Sequence, residues 1–184
     1  MRLIPRGLVV ALIVVTTVFA GCTGLPRGVE PVTDFDVQRY QGEWFEIMRL
    51  DHRFERGLTH VTARYSLDTN GTVTVVNGGF DPVACRWRSA EARARFINAP
   101  STASLAVTFF WPFAGGYHVV DLDRHAYQWA MVAGPTHSYL WILARTPELD
   151  PSILSALIQR AQGLGFPTNE LIRVAHGPTT CKTP

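Results

Sequence analysis

The chain has 184 residues, of which 47% are apolar and 17% charged, and its formal net charge is +2 at pH 7. This length suits one globular domain with a sizeable hydrophobic core, so no second domain is required. A charge so close to zero gives the protein no electrostatic attraction for nucleic acid, which excludes that class of partner.

The N-terminal segment has the organisation of a secretory signal. Two arginines precede LVVALIVVTTVFA, an apolar run that ends in small residues. Because Cys22 follows directly after Ala-Gly, the end of the segment resembles a bacterial lipoprotein signal, in which the cysteine is acylated and becomes the new N-terminus. We therefore predict a lipoprotein signal peptide over 1–21. The alternative is an uncleaved membrane anchor over 7–26, although glycines and a proline interrupt its far end.

Removal of this leader leaves 184 minus 21, or 163 residues, with 15 basic and 15 acidic side chains. Residues 22–34 lack periodicity and carry two prolines, which predicts a lipidated tether followed by a single domain over 35–184. With Cys22 lipidated, Cys85 and Cys181 remain as a possible disulfide pair in an oxidising compartment. Two free thiols are the alternative.

Strand signals dominate the domain. Segments rich in Val, Thr, Phe, Tyr and Trp are separated by turn residues, most clearly at 68–71, where Asn70 and Gly71 tolerate positive φ. About eight strands at this spacing indicate an all-β sandwich or an antiparallel up-and-down barrel. The predicted strands cover residues 43–50, 59–68, 72–80, 84–97, 103–111, 116–123, 126–134 and 138–145, and an edge strand is predicted over 170–176.

One helix follows the eighth strand. Asp150 suits the N-cap and Pro151 the first turn, whereas Gly163 and Gly165 end the helix. Its apolar side chains share one face, which predicts that the helix flanks the outside of the sheet. That face consists of Ile153, Leu154, Leu157, Ile158, Ala161 and Leu164.

Alternation of side chains along a strand identifies the residues that face the interior. Inward-facing alanines in the fourth strand leave room, which favours a barrel that encloses a ligand cavity over one filled by its own side chains. The residues predicted to line this cavity are Val61, Ala63, Tyr65, Val75, Ala92, Val107, Phe109, Tyr117, Tyr139 and Trp141.

Up-and-down connectivity places alternate loops at opposite ends of the barrel, so the short turns close a base. Trp44 begins the first strand at this base, where Gly42 permits a tight entry of the chain. Arg145 ends the last strand at the base of the barrel, and the alternation of side chains points it inward. We therefore expect its guanidinium to contact the indole in a cation–π interaction.

The longer loops form the opposite end, the mouth of the barrel. Trp111 and Phe113 are predicted to form an apolar lip that meets lipid chains or a bilayer surface. In the 51–58 loop, Arg53, Arg56 and His52 are candidates to hold the carboxylate or phosphate of a ligand. The alternative for this loop is a solvated segment with internal ion pairs.

Other chemistry finds little support in the sequence. The six histidines show no close pair at metal-ligand spacing, so no metal site is predicted. Neither a nucleophile elbow nor a phosphate-binding glycine loop occurs, so no catalytic residue is predicted. Glu43, Glu46 and Asp51 are expected to be solvent-exposed or to form local ion pairs.

Three short motifs, GEW at 42–44, VVDLDRHAY at 119–127 and LARTP at 143–147, resemble in order the three conserved regions of the lipocalins. Together with the acylation signal and the helix, they make the chain similar to bacterial lipocalins of the outer-membrane lipoprotein type. The resemblance implies an eight-stranded calyx with one flanking C-terminal helix. It also implies binding of fatty acids or lysophospholipids for storage, transport or repair in the cell envelope.

The same resemblance implies roles for single residues. Gly42 and Trp44 would be the base motif, Arg145 the arginine that crosses the tryptophan, and Cys22 the lipidated residue. Cys85 and Cys181 stand where many lipocalins tie the fourth strand to the C-terminal tail.

The expected partners are a fatty acid or lysophospholipid and the outer membrane of a Gram-negative bacterium, reached through the lipidated cysteine, with the domain in the periplasm. A homodimer is left open, and no cofactor is expected. Because some lipocalins are enzymes, the alternative is a lipocalin-fold enzyme that acts on a lipophilic substrate. Its nucleophile would be a thiol, and Cys85 is the only candidate apart from Cys181.

Overall fold

The structure is a computed structural model that describes residues 23–181. The predicted signal peptide over 1–21 and the predicted lipidation site at Cys22 lie outside the described residues. Between residues 23 and 181, no helix combines the length and the apolar character needed to cross a membrane.

Eight antiparallel strands form the body of the protein. They are β1 (Gly42–Arg49), β2 (Thr59–Leu67), β3 (Val73–Asp81), β4 (Arg86–Phe96), β5 (Ser104–Phe110), β6 (Phe113–Leu122), β7 (Trp129–Ala133) and β8 (Leu140–Ala144). Each strand pairs with the next, and β1 pairs with both β2 and β8, which closes the sheet. The predicted up-and-down barrel is therefore confirmed.

Local hydrogen bonds explain where the strand boundaries differ from the prediction. The seventh strand begins at Trp129 instead of residue 126 because the Asp123 carboxylate accepts the backbone N–H groups of His125, Ala126 and Gln128, which holds this segment as a turn. The predicted edge strand over 170–176 is reduced to β9 (Ile172–Arg173), which pairs with the end of β1.

The helix α2 (Pro151–Gly163) covers the outside of the barrel. The Asp150 carboxylate caps its N-terminus by accepting the backbone N–H groups of Ser152 at 2.8 Å and Ile153 at 3.4 Å. Leu154 and Leu157 are buried against the outward faces of β1, β7 and β8. Burial of each leucine stabilises the fold by about 1.5–3 kcal/mol, which accounts for the position of the helix.

A short helix that was not predicted, α1 (Val37–Tyr40), lies before β1. It is shorter than the usual periodicity window, and its N-cap Asp36 accepts a hydrogen bond from the Gln38 N–H at 2.9 Å. Its Tyr40 ring lies 4.7 Å from the Trp44 ring, centre to centre. The helix therefore helps to close the base of the barrel.

The predicted tether lacks regular secondary structure over residues 23–34, but part of it packs against the barrel. Val29 and Val32 are buried. The Val32 N–H donates to the Val119 carbonyl at 2.8 Å, and the Val32 carbonyl accepts from the Ala103 N–H at 2.9 Å. Any flexible part of the tether therefore ends before these contacts.

A disulfide joins Cys85, directly before β4, to Cys181 in the C-terminal tail. This confirms the predicted pair, and it means that neither cysteine is a free thiol. The bridge spans 96 residues of sequence, so it constrains a large part of the unfolded chain.

Candidate functional site

A cavity of about 450 Å³ occupies the inside of the barrel. This volume falls within the usual range for small-molecule sites, about 300–1,000 Å³. Nine of the ten residues predicted as cavity lining border it: Val61, Ala63, Tyr65, Val75, Val107, Phe109, Tyr117, Tyr139 and Trp141. The tenth, Ala92, is buried in the same apolar cluster as Val75 but does not border the cavity.

The base of the cavity is closed around Trp44, which is fully buried. Its indole N–H donates to the Tyr40 carbonyl at 2.9 Å, and the Arg145 guanidinium lies 3.9 Å from the ring centre. Gly42 has a φ of +94°, and a Cβ at this position would lie 3.4 Å from Nη1 of Arg145. A positive φ favours glycine, so the backbone itself explains the residue at this position.

Large apolar side chains surround the mouth and are exposed to solvent. Trp111 is 88% exposed, Phe110 81% and Phe113 68%. Patches of this kind usually mark an interaction surface. We call these residues, together with exposed apolar residues of the β1–β2 loop, the β3–β4 loop and the start of β4, the apolar lip: Phe54, Val83, Trp87, Phe110, Trp111 and Phe113.

A buried polar cluster lies beside the cavity and was not predicted. Glu46 faces inward like Trp44, and a β-bulge between Glu46 and Met48 turns Arg49 to the same side, so both charged residues are buried and their side chains meet at 2.6 Å. Arg49 also donates to the Glu55 carbonyl at 2.9 Å, and the Trp141 indole N–H donates to the Glu55 carboxylate at 3.2 Å. The expectation that Glu46 is solvent-exposed is therefore wrong, whereas the expected local ion pair is present.

Burial controls the protonation of this cluster. Loss of water, and next the neighbouring Glu55 carboxyl, raise the pKa of Glu46 well above its ordinary value despite the Arg49 charge. Burial also raises the pKa of Glu55. For His52, burial and then the Arg49 charge lower the pKa to about 4, so its imidazole is neutral at pH 7. The Glu46 and Glu55 carboxyls, which both line the cavity, therefore hold protons more readily than exposed carboxyls do.

His52, which the sequence also suggested for the rim, is buried instead. Its ring stacks on Phe54 with a distance of 4.0 Å between ring centres. Its Nε2 lies 3.2 Å from Oε2 of Glu55, but neither ring nitrogen is hydrogen-bonded. His52 is therefore part of the buried cluster and does not offer a charge to a ligand at pH 7.

The arginines predicted for the rim are exposed and do not line the cavity. Arg56 pairs with Asp51 at 2.7 Å, which matches the solvated-loop alternative for this segment. Sequence reasoning missed Arg88, the arginine that borders an adjoining pocket of about 350 Å³. This pocket shares Val61 and Phe109 with the main cavity.

Within residues 23–181, no group of three or more His, Cys, Asp or Glu side chains is placed to hold a metal ion.

Comparisons with known proteins agree with this architecture. A model of the lipocalin-like domain matches residues 35–176. The chain is 44% identical over 163 residues to the outer membrane lipoprotein Blc of Vibrio cholerae, a match that covers 89% of this chain and 95% of the relative. It is 46% identical over 176 residues to the protein of that name from Citrobacter freundii, covering 95% of this chain and 97% of the relative.

Among solved structures, insecticyanin from the tobacco hornworm Manduca sexta superposes with a TM-score of 0.68. That match covers 87% of this chain and 90% of insecticyanin at 18% sequence identity, so it supports the fold alone. The family model and the close relatives show more: the chain belongs to the lipocalin family.

Proposed function

We propose that the protein is a membrane-anchored carrier that binds a fatty acid or lysophospholipid and releases it without chemical change. The observation that carries this proposal is the apolar cavity, which is closed at Trp44 and surrounded by an apolar lip at the other end. Transfer of an acyl chain into such a cavity yields about 0.8 kcal/mol per methylene. Micromolar affinity therefore remains after the costs of association.

We place the protein at the outer membrane of a Gram-negative bacterium, with the domain in the periplasm. The names of the relatives from Vibrio cholerae and Citrobacter freundii support this location, as does the predicted lipoprotein signal over 1–21, directly before Cys22. A lipoprotein cysteine carries more than one acyl chain, which gives durable attachment, whereas a single chain gives marginal binding.

A carrier is favoured over a lipocalin-fold enzyme. The enzyme alternative required a thiolate nucleophile, and the disulfide between Cys85 and Cys181 removes both candidate thiols. Binding without catalysis is therefore the proposed role.

The head group of the ligand would remain near the mouth. Arg53 and Arg56 supply positive charge in the β1–β2 loop, and Arg88 supplies it at the adjoining pocket. We expect an Arg53→Ala, Arg56→Ala double variant to bind a lysophospholipid more weakly if the loop holds the phosphate. If only Arg88→Ala weakens binding, the adjoining pocket holds the head group instead.

The proposed function is tested by filling the cavity. Val107 lines the cavity. Thr108, the next residue on β5, faces the opposite side of the strand and does not line the cavity. We expect Val107→Trp to weaken binding of hexadecanoic acid at least tenfold, measured by displacement of a fluorescent probe, and Thr108→Trp to leave it unchanged. Mass spectrometry of lipid that copurifies with the wild type identifies the natural ligand. Equal affinities of the two variants would contradict a ligand site inside the barrel.

A further inference from the structure

Three tyrosines meet at the floor of the cavity in a hydrogen-bonded group that we call the tyrosine triad. The phenol oxygen of Tyr117 lies 2.7 Å from that of Tyr40 and 2.8 Å from that of Tyr65. All three side chains line the cavity. They come from α1, β2 and β6, so the group exists only when the barrel is closed.

The three hydroxyls of the triad carry one more proton than the hydrogen bonds between them use. Three phenol hydroxyls carry three protons, and the two bonds between them use two. Over residues 23–181, these hydroxyls hydrogen-bond only to one another. One phenolic proton is therefore left without a protein acceptor, whichever way the two bonds run. A buried donor in this state is unfavourable, and an oxygen atom in the cavity would satisfy it.

The surroundings favour a neutral acceptor over an anion. Burial raises the pKa of all three phenols, so they remain protonated donors. A carboxylate at this depth would need a cationic donor within reach, but Arg145 covers Trp44 and donates to three backbone carbonyls, and Arg49 donates to Glu46. A hydroxyl, carbonyl or epoxide oxygen needs only the hydrogen bond.

We propose that the tyrosine triad binds a neutral oxygen atom at the inner end of the ligand, so that the protein accepts amphiphiles whose acyl chain is oxygenated far from the head group. This inference rests on the proposed function, because it assumes that an acyl chain enters the cavity. On a floor without the triad, an oxygenated chain end would lose its hydrogen bonds to water, and affinity would fall about 10- to 100-fold. The free phenolic proton restores one of these bonds.

The triad can be removed with little damage to the fold. Since the hydroxyls bond only to one another, replacing all three tyrosines by phenylalanine leaves no orphaned partner among residues 23–181. The test variant is therefore Tyr40→Phe, Tyr65→Phe, Tyr117→Phe. Thr108→Val is the control because it also removes a hydroxyl, but from a β5 residue that does not line the cavity. Thermal unfolding followed by circular dichroism verifies that both variants fold.

The measurement compares hexadecanoic acid with 16-hydroxyhexadecanoic acid by displacement of one fluorescent probe. We expect the wild type and Thr108→Val to bind the hydroxylated acid at least as tightly as the plain acid. The triple variant should retain the plain acid and bind the hydroxylated acid about tenfold more weakly. An unchanged ratio of the two affinities in the triple variant would overturn the inference.

Two further outcomes separate the hypotheses. If the triple variant loses affinity for both acids equally, the floor holds the carboxyl end, and the inference is wrong although the carrier function stands. If the wild type binds neither acid, the proposed function fails and the inference fails with it.

Discussion

The guanidinium of Arg145 lies 3.9 Å from the centre of the Trp44 ring and also closes the base of the barrel through hydrogen bonds. It donates to the carbonyls of Arg39 at 2.7 Å, Glu43 at 2.9 Å and Tyr127 at 3.2 Å. One side chain thus joins α1, β1, the segment before β7 and the end of β8. The planar fork of arginine suits this arrangement, because three donors point in fixed directions while the face of the group covers the indole.

We expect Arg145→Lys to lower the free energy of unfolding by about 2–4 kcal/mol, although the charge is kept. A lysine ammonium cannot cover the indole and reach three separate carbonyls in the same geometry. Urea denaturation followed by tryptophan fluorescence measures the change. Arg64→Lys is the control, because Arg64 forms an exposed pair with Glu43 at 3.2 Å, and its loss should cost less than about 1 kcal/mol. Equal effects at the two positions would contradict a special role for Arg145.

Gly42→Ala should lower the free energy of unfolding by about 1–3 kcal/mol, because its φ of +94° is unfavourable for a residue with a Cβ. The added Cβ would also lie 3.4 Å from Nη1 of Arg145. Gly163→Ala at the end of α2 is the control, since its Cβ meets no atom within 4 Å and its φ is not positive. Alanine there should be neutral or stabilise the protein by about 0.5–1 kcal/mol. A tolerated Gly42→Ala would mean that the base can relax.

Much of the barrel could be predicted because each strand carries its own signal. Alternation of side chains depends only on extended backbone geometry. It therefore identifies inward-facing residues such as Ala63, Val107 and Trp141, which border the cavity. The cap and the apolar stripe of α2 were equally local. Such features need no knowledge of which strands become neighbours.

The buried polar cluster could not be predicted because it depends on a break in this alternation. Glu46 faces inward with Trp44 by ordinary alternation, but the bulge after it turns Arg49 inward as well, and an extra residue in a strand leaves no clear mark in the sequence. The solvated-loop alternative pairs Glu55 within its own loop, whereas its carboxylate accepts the indole N–H of Trp141, 86 residues away. The parity that Glu46 shares with Trp44, together with the opposite charge at position 49, is the signal that could have suggested a buried pair.

Acid should destabilise the protein through His52. Its pKa is about 4 in the folded protein against 6.5 for the ordinary side chain, so the unfolded chain binds more protons between these values. The stability that depends on neutral His52 is therefore complete above pH 6.5 and is lost as the pH falls towards 4, with a magnitude on the order of 1–3 kcal/mol. Urea denaturation at several pH values between 7 and 4 should show this loss.

The matched variant for this measurement is His52→Phe. Phenylalanine retains the stacking on Phe54, and no hydrogen bond is lost because neither ring nitrogen of His52 makes one. The raised pKa values of Glu46 and Glu55 have the opposite sign and favour the folded state in acid, so the effect of His52 is taken as the difference between wild type and variant. If this difference does not change with pH, His52 is not held neutral by the fold.

Replacing Trp111 and Phe113 in the apolar lip with serine should slow the transfer of a fluorescent fatty acid from phospholipid vesicles to the protein by about tenfold or more. These side chains are 88% and 68% exposed at the mouth, so their insertion into the bilayer surface would bring the cavity entrance to the lipid. Stopped-flow fluorescence measures the transfer rate, and fatty-acid affinity without vesicles should stay unchanged. Ile97→Ser, an exposed apolar residue in the β4–β5 turn at the base, should leave the rate unchanged. If the double variant transfers fatty acid at the wild-type rate but no longer forms a dimer in sedimentation, the lip is covered by a second copy of the chain and does not contact the membrane.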